Sequence, residues 1–239
     1  ESFAYDYRNP SAPHFYVTED APRGALRRYR PNPSVVRQNV TWKMLTSPGG
    51  TFTYLVLTPD PTHPSHSGTF YWTTDILLAR ENAALYYPTS EGIDIRDGVL
   101  YMTCKSVKKL FILDLDAMTY DESSTESGAF SKTPDQVARV VEDDEVLYFC
   151  EDGDTRCGVH ARYANGMYAE ILRGGSEIRT ETTGLAFSSD YLHMYVSFQD
   201  RPGMIFDVTR EDGYPFYGQG LDIKYHGNLP HDDWGYGDS

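Results

Sequence analysis

The residues of this chain best suited to chemistry are carboxylates at the ends of apolar segments: Glu19, Asp20, Glu91, Glu151, Asp152 and Glu181. Grouped carboxylates repel one another and shift in pKa unless a cation neutralises them. Several held on rigid strands therefore point to a divalent or trivalent metal bound through oxygen. Such a metal can neutralise a phosphate and activate an oxygen nucleophile. Conventional nucleophile and phosphate motifs are missing: there is no Gly-x-Ser-x-Gly, no His-Glu-x-x-His and no Walker loop. His226 and His231 with Asp232 and Asp233 near the C-terminus, and His63 and His66 in a proline-rich stretch, read as solvated polar residues rather than ligands.

These carboxylates are positioned by a periodic pattern. Leu100-Tyr101-Met102, Leu147-Tyr148-Phe149 and Met194-Tyr195-Val196 return at a spacing of 47 residues. Each follows a turn sequence: Arg96-Asp97-Gly98, Glu142-Asp143-Asp144 or Ser188-Ser189-Asp190. A period of roughly 40–50 residues built from short strands is that of propeller blades. The expected fold is all-β, a β-propeller of about four blades or partial blades, completed by further residues or by a partner chain. The pattern sets out a domain over 1–217 and a Gly/His/Asp-rich tail over 218–239, extended or wrapped over the body. Three residues after the marker tyrosine stand Cys104, Glu151 and Phe198, and Glu19 stands likewise after Tyr16. Strand alternation puts these four on equivalent faces, where the inner strands of a propeller line a channel. A second level comprises Glu91, Gln136 and Thr183, with Glu181 two residues earlier in its own repeat.

Composition agrees with strands. Aromatic residues make up 14% of the 239, and 19 are tyrosines, which suit a pleated, half-buried surface. Strands are expected over 14–19, 25–30, 42–45, 51–57 and 70–72, with loops over 31–39 and 58–68. One helix is expected over 75–85, capped by Asp75 and rich in helix formers. The net charge of −14 argues against a nucleic-acid partner, because phosphate backbones are bound by basic patches. It suits hard cations, or serves only solubility. No apolar run is long enough to span a membrane as a helix, and Glu1-Ser2-Phe3 carries no secretory h-region. Cys104, Cys150 and Cys157 are too few for a disulfide framework. Cys150 and Cys157 could close the loop between them in an oxidising compartment, or be unrelated thiols. Asn39-Val40-Thr41 is a glycosylation sequon and tilts the compartment towards secreted or luminal.

Several segments together resemble the PhoX-type alkaline phosphatases, a family of calcium-dependent β-propellers, and its algal branch in particular. The resemblance rests on Tyr16-Val17-Thr18-Glu19-Asp20, Ser90-Glu91-Gly92, Glu151-Asp152-Gly153 and Gly158-Val159-His160-Ala161-Arg162. It also rests on the stretches 14–31 and 182–200, and covers about residues 13–216. It implies calcium and iron in the central channel, with Glu19, Glu91, Glu151 and Glu181 as metal-site carboxylates and phosphomonoesters or phosphodiesters as substrates. The other readings are a non-catalytic propeller serving as a scaffold or interaction subunit, and a lactonase-like hydrolase. Fold alone does not separate these.

Overall fold

Strands that alternate Phe, Tyr, Val and Leu with polar residues must bury one face, and here they do so in antiparallel meanders. The structure is a computed structural model. It describes residues 1–38, 41–64, 66–126, 130, 132–140, 146–175, 178, 180–199 and 203–216. The sequon at Asn39, the turn 142–144, the segment 200–202 and the tail with His226, His231, Asp232 and Asp233 lie outside the described residues. The chain falls into two compact units, residues 1–123 and 124–239.

The first unit comprises β1 (Phe3–Asp6), β2 (His14–Val17), β3 (Arg27–Arg30), α1 (Pro33–Arg37), β4 (Thr51–Pro59), β5 (Ser67–Thr73), α2 (Ile76–Tyr86), β6 (Ser90–Arg96), β7 (Val99–Cys104), β8 (Lys109–Asp114) and β9 (Thr119–Ser124). Its nine strands form one sheet in the order β1-β2-β3-β4-β5-β9-β8-β7-β6. Two meanders, β1 to β4 and β6 to β9, are thus joined through β5, and the sheet curls until its edge strands β1 and β6 meet. The result is nearly closed and barrel-like. The β6–β7 turn is set by Asp97 and Gly98, both at positive φ, which suits a two-residue hairpin. The interior is filled by Leu26, Leu55, Phe70, Leu100, Met102, Phe111 and Leu113.

Helix α2 starts where the sequence places it: the Asp75 carboxylate accepts from the Leu77 and Leu78 N–H groups. Its buried Ala79 and Ala83 allow close approach to β4. Asn82 accepts from the Leu57 N–H and donates to the Leu57 carbonyl, standing in for a neighbouring strand where β3 no longer covers β4. Tyr87 closes the helix, donating from its hydroxyl to the Leu55 carbonyl at 2.7 Å.

Two expectations are corrected. Residues 33–37, expected as loop, form helix α1, because Asn32 caps it and Pro33 sits in the first turn, where its missing N–H costs nothing. Residues 42–45, expected as a strand, form a 3₁₀ turn over Thr41–Lys43 followed by further turns. Met44 turns inward onto Phe15, Tyr29, Val35 and Val36 while Trp42 stays exposed. A pleated strand cannot serve that single inward anchor.

The second unit holds β10 (Thr133–Arg139), β11 (Val146–Asp152), β12 (Gly158–Tyr163) and β13 (Tyr168–Arg173) in one four-stranded sheet. A three-stranded sheet follows: β14 (Thr182–Phe187), β15 (Met194–Phe198) and β16 (Met204–Val208). Strand β14 lies against β10 and β11, and Val146, Tyr148, Val159, Ala161, Met194, Val196 and Phe198 form the shared core. No helix among the described residues is long and apolar enough to cross a membrane.

The 47-residue spacing is a structural register. Cys104 pairs with Ser90, Glu151 with Pro134, and Phe198 with Thr182, at the same place in three meanders. The marker tyrosines pair likewise with Asp94, Ala138 and Ala186. Their burial differs. Tyr148 is fully buried and donates to the Phe216 carbonyl at 2.7 Å, whereas Tyr195 is 39% exposed. Tyr148→Ala should therefore destabilise the protein by about 3–5 kcal/mol, as core aromatic truncations do. Tyr195→Ala should cost under about 1 kcal/mol. Urea denaturation followed by fluorescence measures both, and equal losses would contradict the register's division into buried and exposed faces.

Candidate functional site

Where β6 enters its sheet, residues between Ser90 and Ile93 bulge out of register with β7. An extra residue re-aims the side chains beside it, and Glu91 is turned inward to 3% exposure. The loop ahead of it is tied down. Thr89, at positive φ, accepts from the Lys105 and Ser106 N–H groups through its carbonyl and hydroxyl, and its own N–H donates to the Ala21 carbonyl. The Thr18 hydroxyl donates to the Glu91 carbonyl, and the Glu19 N–H donates to the Ser90 hydroxyl. These bonds draw residues 18–21, 89–91 and 105–106 together.

Lys105 is the local cation. Its Nζ lies 2.8 Å from Asp20 Oδ2 and 2.6 Å from Glu91 Oε1. The second contact is one of charge rather than hydrogen-bond direction, since buried Oε1 has no aligned donor. A ligand oxygen of Glu1 lies within 4.8 Å of one of Glu91. Burial pushes the Glu91 carboxyl up to about 7; Lys105 opposes the shift, and the charges of Asp20 and Glu1 add to it. Burial would lower Lys105, but its bond to Asp20 and the charge of Glu91 beside it hold its pKa well above the ordinary lysine value. Two carboxylates thus share one lysine, with an oxygen of Glu1 close to the buried one. Hard oxygen donors, a surplus of negative charge and an unaligned buried carboxylate oxygen fit a calcium-type cation.

Glu19 lies beside this group but is already neutralised, by Arg27 at 2.6 Å. Its carbonyl and Cβ crowd the position a Gly24 side chain would take, so the turn there needs glycine. Cys104, the register partner of Ser90, is fully buried, and burial pushes its thiol pKa well up.

In the second unit the equivalent register position holds Glu151, 1% exposed. Its Oε1 accepts from the Lys132 N–H at 2.6 Å; its Oε2 accepts from the Gly158 N–H at 3.2 Å and meets His160 Nε2 at 2.9 Å. The Thr182 hydroxyl accepts from the Glu151 N–H at 2.8 Å and donates to the Gly158 carbonyl at 2.7 Å, stitching β14 to β11 and β12. His160 is 1% exposed and lies against the Phe130 ring at 4.1 Å. Its Nδ1 is buried without a partner. Both Glu151 oxygens are therefore engaged by donors from the chain itself.

Cys150 and Cys157 are free thiols. Burial, together with the charges of Glu151, Asp152 and Glu181, pushes Cys157 up to about 12. Glu181 is half-buried and approaches the Glu151 region only as one of the charges acting on this thiol. The loop 151–156 is held by the Glu151 bonds and by the Lys132–Asp154 ion pair.

The register corrects the second level expected from sequence. Pro134 and Val137 bracket the β10 bulge as Ser90 and Ile93 bracket that of β6, so Asp135, not Gln136, is the counterpart of Glu91. Asp135 is 5% exposed and its charge acts on Cys150. The β10–β11 connection is longer than the β6–β7 one, since Tyr148 pairs with Ala138 and Tyr101 with Asp94, and counting back from Tyr148 misjudges that length by one residue. Lys105 and His160 were also missed. The signal for Lys105 was a lone base immediately after a register position, and that for His160 a histidine inside an apolar strand. Among the described residues, neither unit on its own gathers three ligand atoms at metal-binding distance. The chain matches no protein-family model and no curated protein.

Two consequences are measurable. Glu151→Ala leaves buried His160, the buried Gly158 N–H and the partly buried Lys132 N–H without their acceptor and should cost about 3 kcal/mol or more. Glu19→Ala, at a half-exposed pair, should cost about 1 kcal/mol or less. Chemical denaturation at pH 7 compares them. Separately, the folded-state pKa of Glu91 lies above its unfolded value, so the folded state binds the extra proton. The associated stability is fully present below about pH 4.5 and is lost as pH rises through about 7. Glu91→Gln should flatten that decline in denaturation midpoints between pH 4.5 and 8; an unchanged slope would show that Glu91 does not titrate there.

Proposed function

We propose that this chain is a metal-dependent phosphatase of PhoX type, built on propeller blades. The meander β6 to β9, the sheet β10 to β13 and the sheet β14 to β16 correspond to blades, and the ring is completed by further chain or by a partner. The observation that carries the reading is buried Glu91, with an unaligned carboxylate oxygen, Glu1 within ligand range and Asp20 sharing its lysine. The sequence resemblance at Ser90-Glu91-Gly92 and Glu151-Asp152-Gly153 supports it.

Glu91 would hold calcium, with Glu1 contributing oxygen and Lys105, shared with Asp20, limiting the excess negative charge. A bound metal cluster supplies charge neutralisation for the phosphate and an activated oxygen nucleophile. The chain's own work is to keep Glu91 inward and dry at the bulge, to fix it through the Thr18 bond to its carbonyl, and to hold a proton on it near neutral pH until a cation arrives. Of the four carboxylates implied by the resemblance, Glu91 fits a ligand best. Glu19 is neutralised by Arg27, Glu151 serves the fold through His160 and two N–H groups, and Glu181 contributes charge near Cys157. No described residue distinguishes a site for iron. Secretion and the absence of a nucleic-acid partner belong to the same proposal.

The scaffold reading draws on that same neutralisation of Glu19 and Glu151, which stabilises a fold without demanding a metal. Activity separates the two. Supplied with calcium and iron, the purified protein should release phosphate from p-nitrophenyl phosphate, and Glu91→Gln should lower kcat/KM at least 100-fold, the order expected when a group essential to transition-state stabilisation is removed. A folded, metal-loaded wild-type protein that releases no phosphate would leave the scaffold reading standing.

A further inference from the structure

Arginines in the first unit commonly come with an acid: Arg8 with Asp6 and Asp116, Arg23 with Glu81, Arg27 with Glu19. Arg28 and Arg30, like Arg37 and Arg80, have no carboxylate within ion-pair distance among the described residues, but only Arg28 and Arg30 stand together on one strand face.

Both arginines lie two apart on β3, and so on one face. On that face Arg28 is in register with Tyr16 of β2 and Thr53 of β4, and His14 stands two residues before Tyr16. Arg28 is half-buried and held in a fixed plane. Its Nε donates to the Thr53 hydroxyl at 3.0 Å, its guanidinium lies 4.4 Å above the Trp72 ring, and it shares a hydrogen bond with the Tyr16 hydroxyl. The remaining donors of that planar fork have no acid to meet. Arg30 is exposed at the rim.

The surrounding charges do not fill the gap. Asp6 acts on His14, but its carboxylate is committed to Arg8 through both oxygens, and Asp116 is bound to the same arginine. Burial lowers the His14 pKa, and Arg28 and Arg30 lower it further while Asp6 opposes them. Like charges on one sheet face repel, and a rigid, aromatic-stacked guanidinium is suited to bidentate oxyanion recognition.

We propose that the face formed by His14, Arg28 and Arg30 binds a tetrahedral oxyanion, phosphate or sulfate, independently of the carboxylate site at Glu91. Arg28 supplies the fixed fork, Arg30 the rim charge, and Thr53 and Tyr16 hold the fork in place. The anion offsets the repulsion between the two arginines and can accept a hydrogen bond from the His14 ring.

Calorimetric titration of the metal-stripped full chain at low ionic strength tests this, with inorganic phosphate, sulfate and glucose 6-phosphate as probes. One site per chain is expected. Arg28→Gln should weaken binding at least tenfold and Arg30→Gln several-fold, while Arg156→Gln, at an exposed turn position, should change nothing. Glu91→Gln should bind like the wild type. Binding of the free anions identifies an inorganic ligand, and binding of the ester as well extends the site to a phosphate carried on a larger molecule. Addition of phosphate should also shift the His14 ring resonances. Should Arg28→Gln fail to fold, Arg30→Gln at the rim decides. Wild-type affinity in the arginine variants, absence of saturable binding, or loss of binding in Glu91→Gln would each overturn the proposal.

Discussion

The inward placing of Glu91 and Asp135 depends on one irregularity of pairing, the bulge in the first strand of a meander. Between Ser90 and Ile93, and between Pro134 and Val137, two residues stand opposite one on the partner strand. A related slip separates Thr182 from Gly184. In a regular strand, side chains alternate strictly between faces, and the apolar set on one side fixes where every polar residue goes. The bulge suspends that rule for one step. It lets Glu91 and Asp135 turn inward without displacing Ile93 or Val137 from the apolar face.

A carboxylate turned inward must be neutralised or protonated, and the two units answer differently. Glu151 receives the Lys132 and Gly158 N–H groups and His160 Nε2, a donor set that satisfies both oxygens. Glu91 receives a lysine shared with Asp20, poorly aligned to its oxygen, with Glu1 adding negative charge. The first arrangement locks strand to strand, because Thr182 continues the network into β14. The second leaves an electrostatic deficit that a cation can relieve. That contrast places the candidate chemistry at Glu91 although Glu151 is the more deeply bonded residue.

Much of this was legible in the sequence, and the failures have definite causes. The tyrosine spacing gives the register of β7, β11 and β15 to the residue because strand period is rigid. The α2 cap was readable because Asp75 acts locally. Asp135 was missed because the β10–β11 connection is longer than the β6–β7 one, Tyr148 pairing with Ala138 and Tyr101 with Asp94, and nothing in the local sequence gives that length. Lys105 and His160 were missed because their partners are distant in sequence or on another strand: Lys105 meets Asp20, 85 positions away. Met44 was misread as part of a strand because a lone inward anchor in a turn has the same composition as a short strand. Local rules are written in local sequence; neutralising partners are not.

The register also shows why repetition of structure need not repeat chemistry. Cys104, Glu151 and Phe198 occupy the same pairing position and are all buried, yet one is an inert thiol, one a bonded carboxylate and one an aromatic core residue. Each is tolerated because its bulge-side partner differs: Ser90, Pro134 or Thr182. Only Thr182 provides a hydroxyl that reaches the neighbouring sheet at Glu151, and only Ser90 faces a segment carrying Glu19. The meander thus supplies a buried position at a fixed depth, and the side chain installed there sets what cation, proton or packing partner it requires. A buried acid whose partners fall short is where such a scaffold can take up a ligand, and by that criterion Glu91 is the position the proposed function draws on.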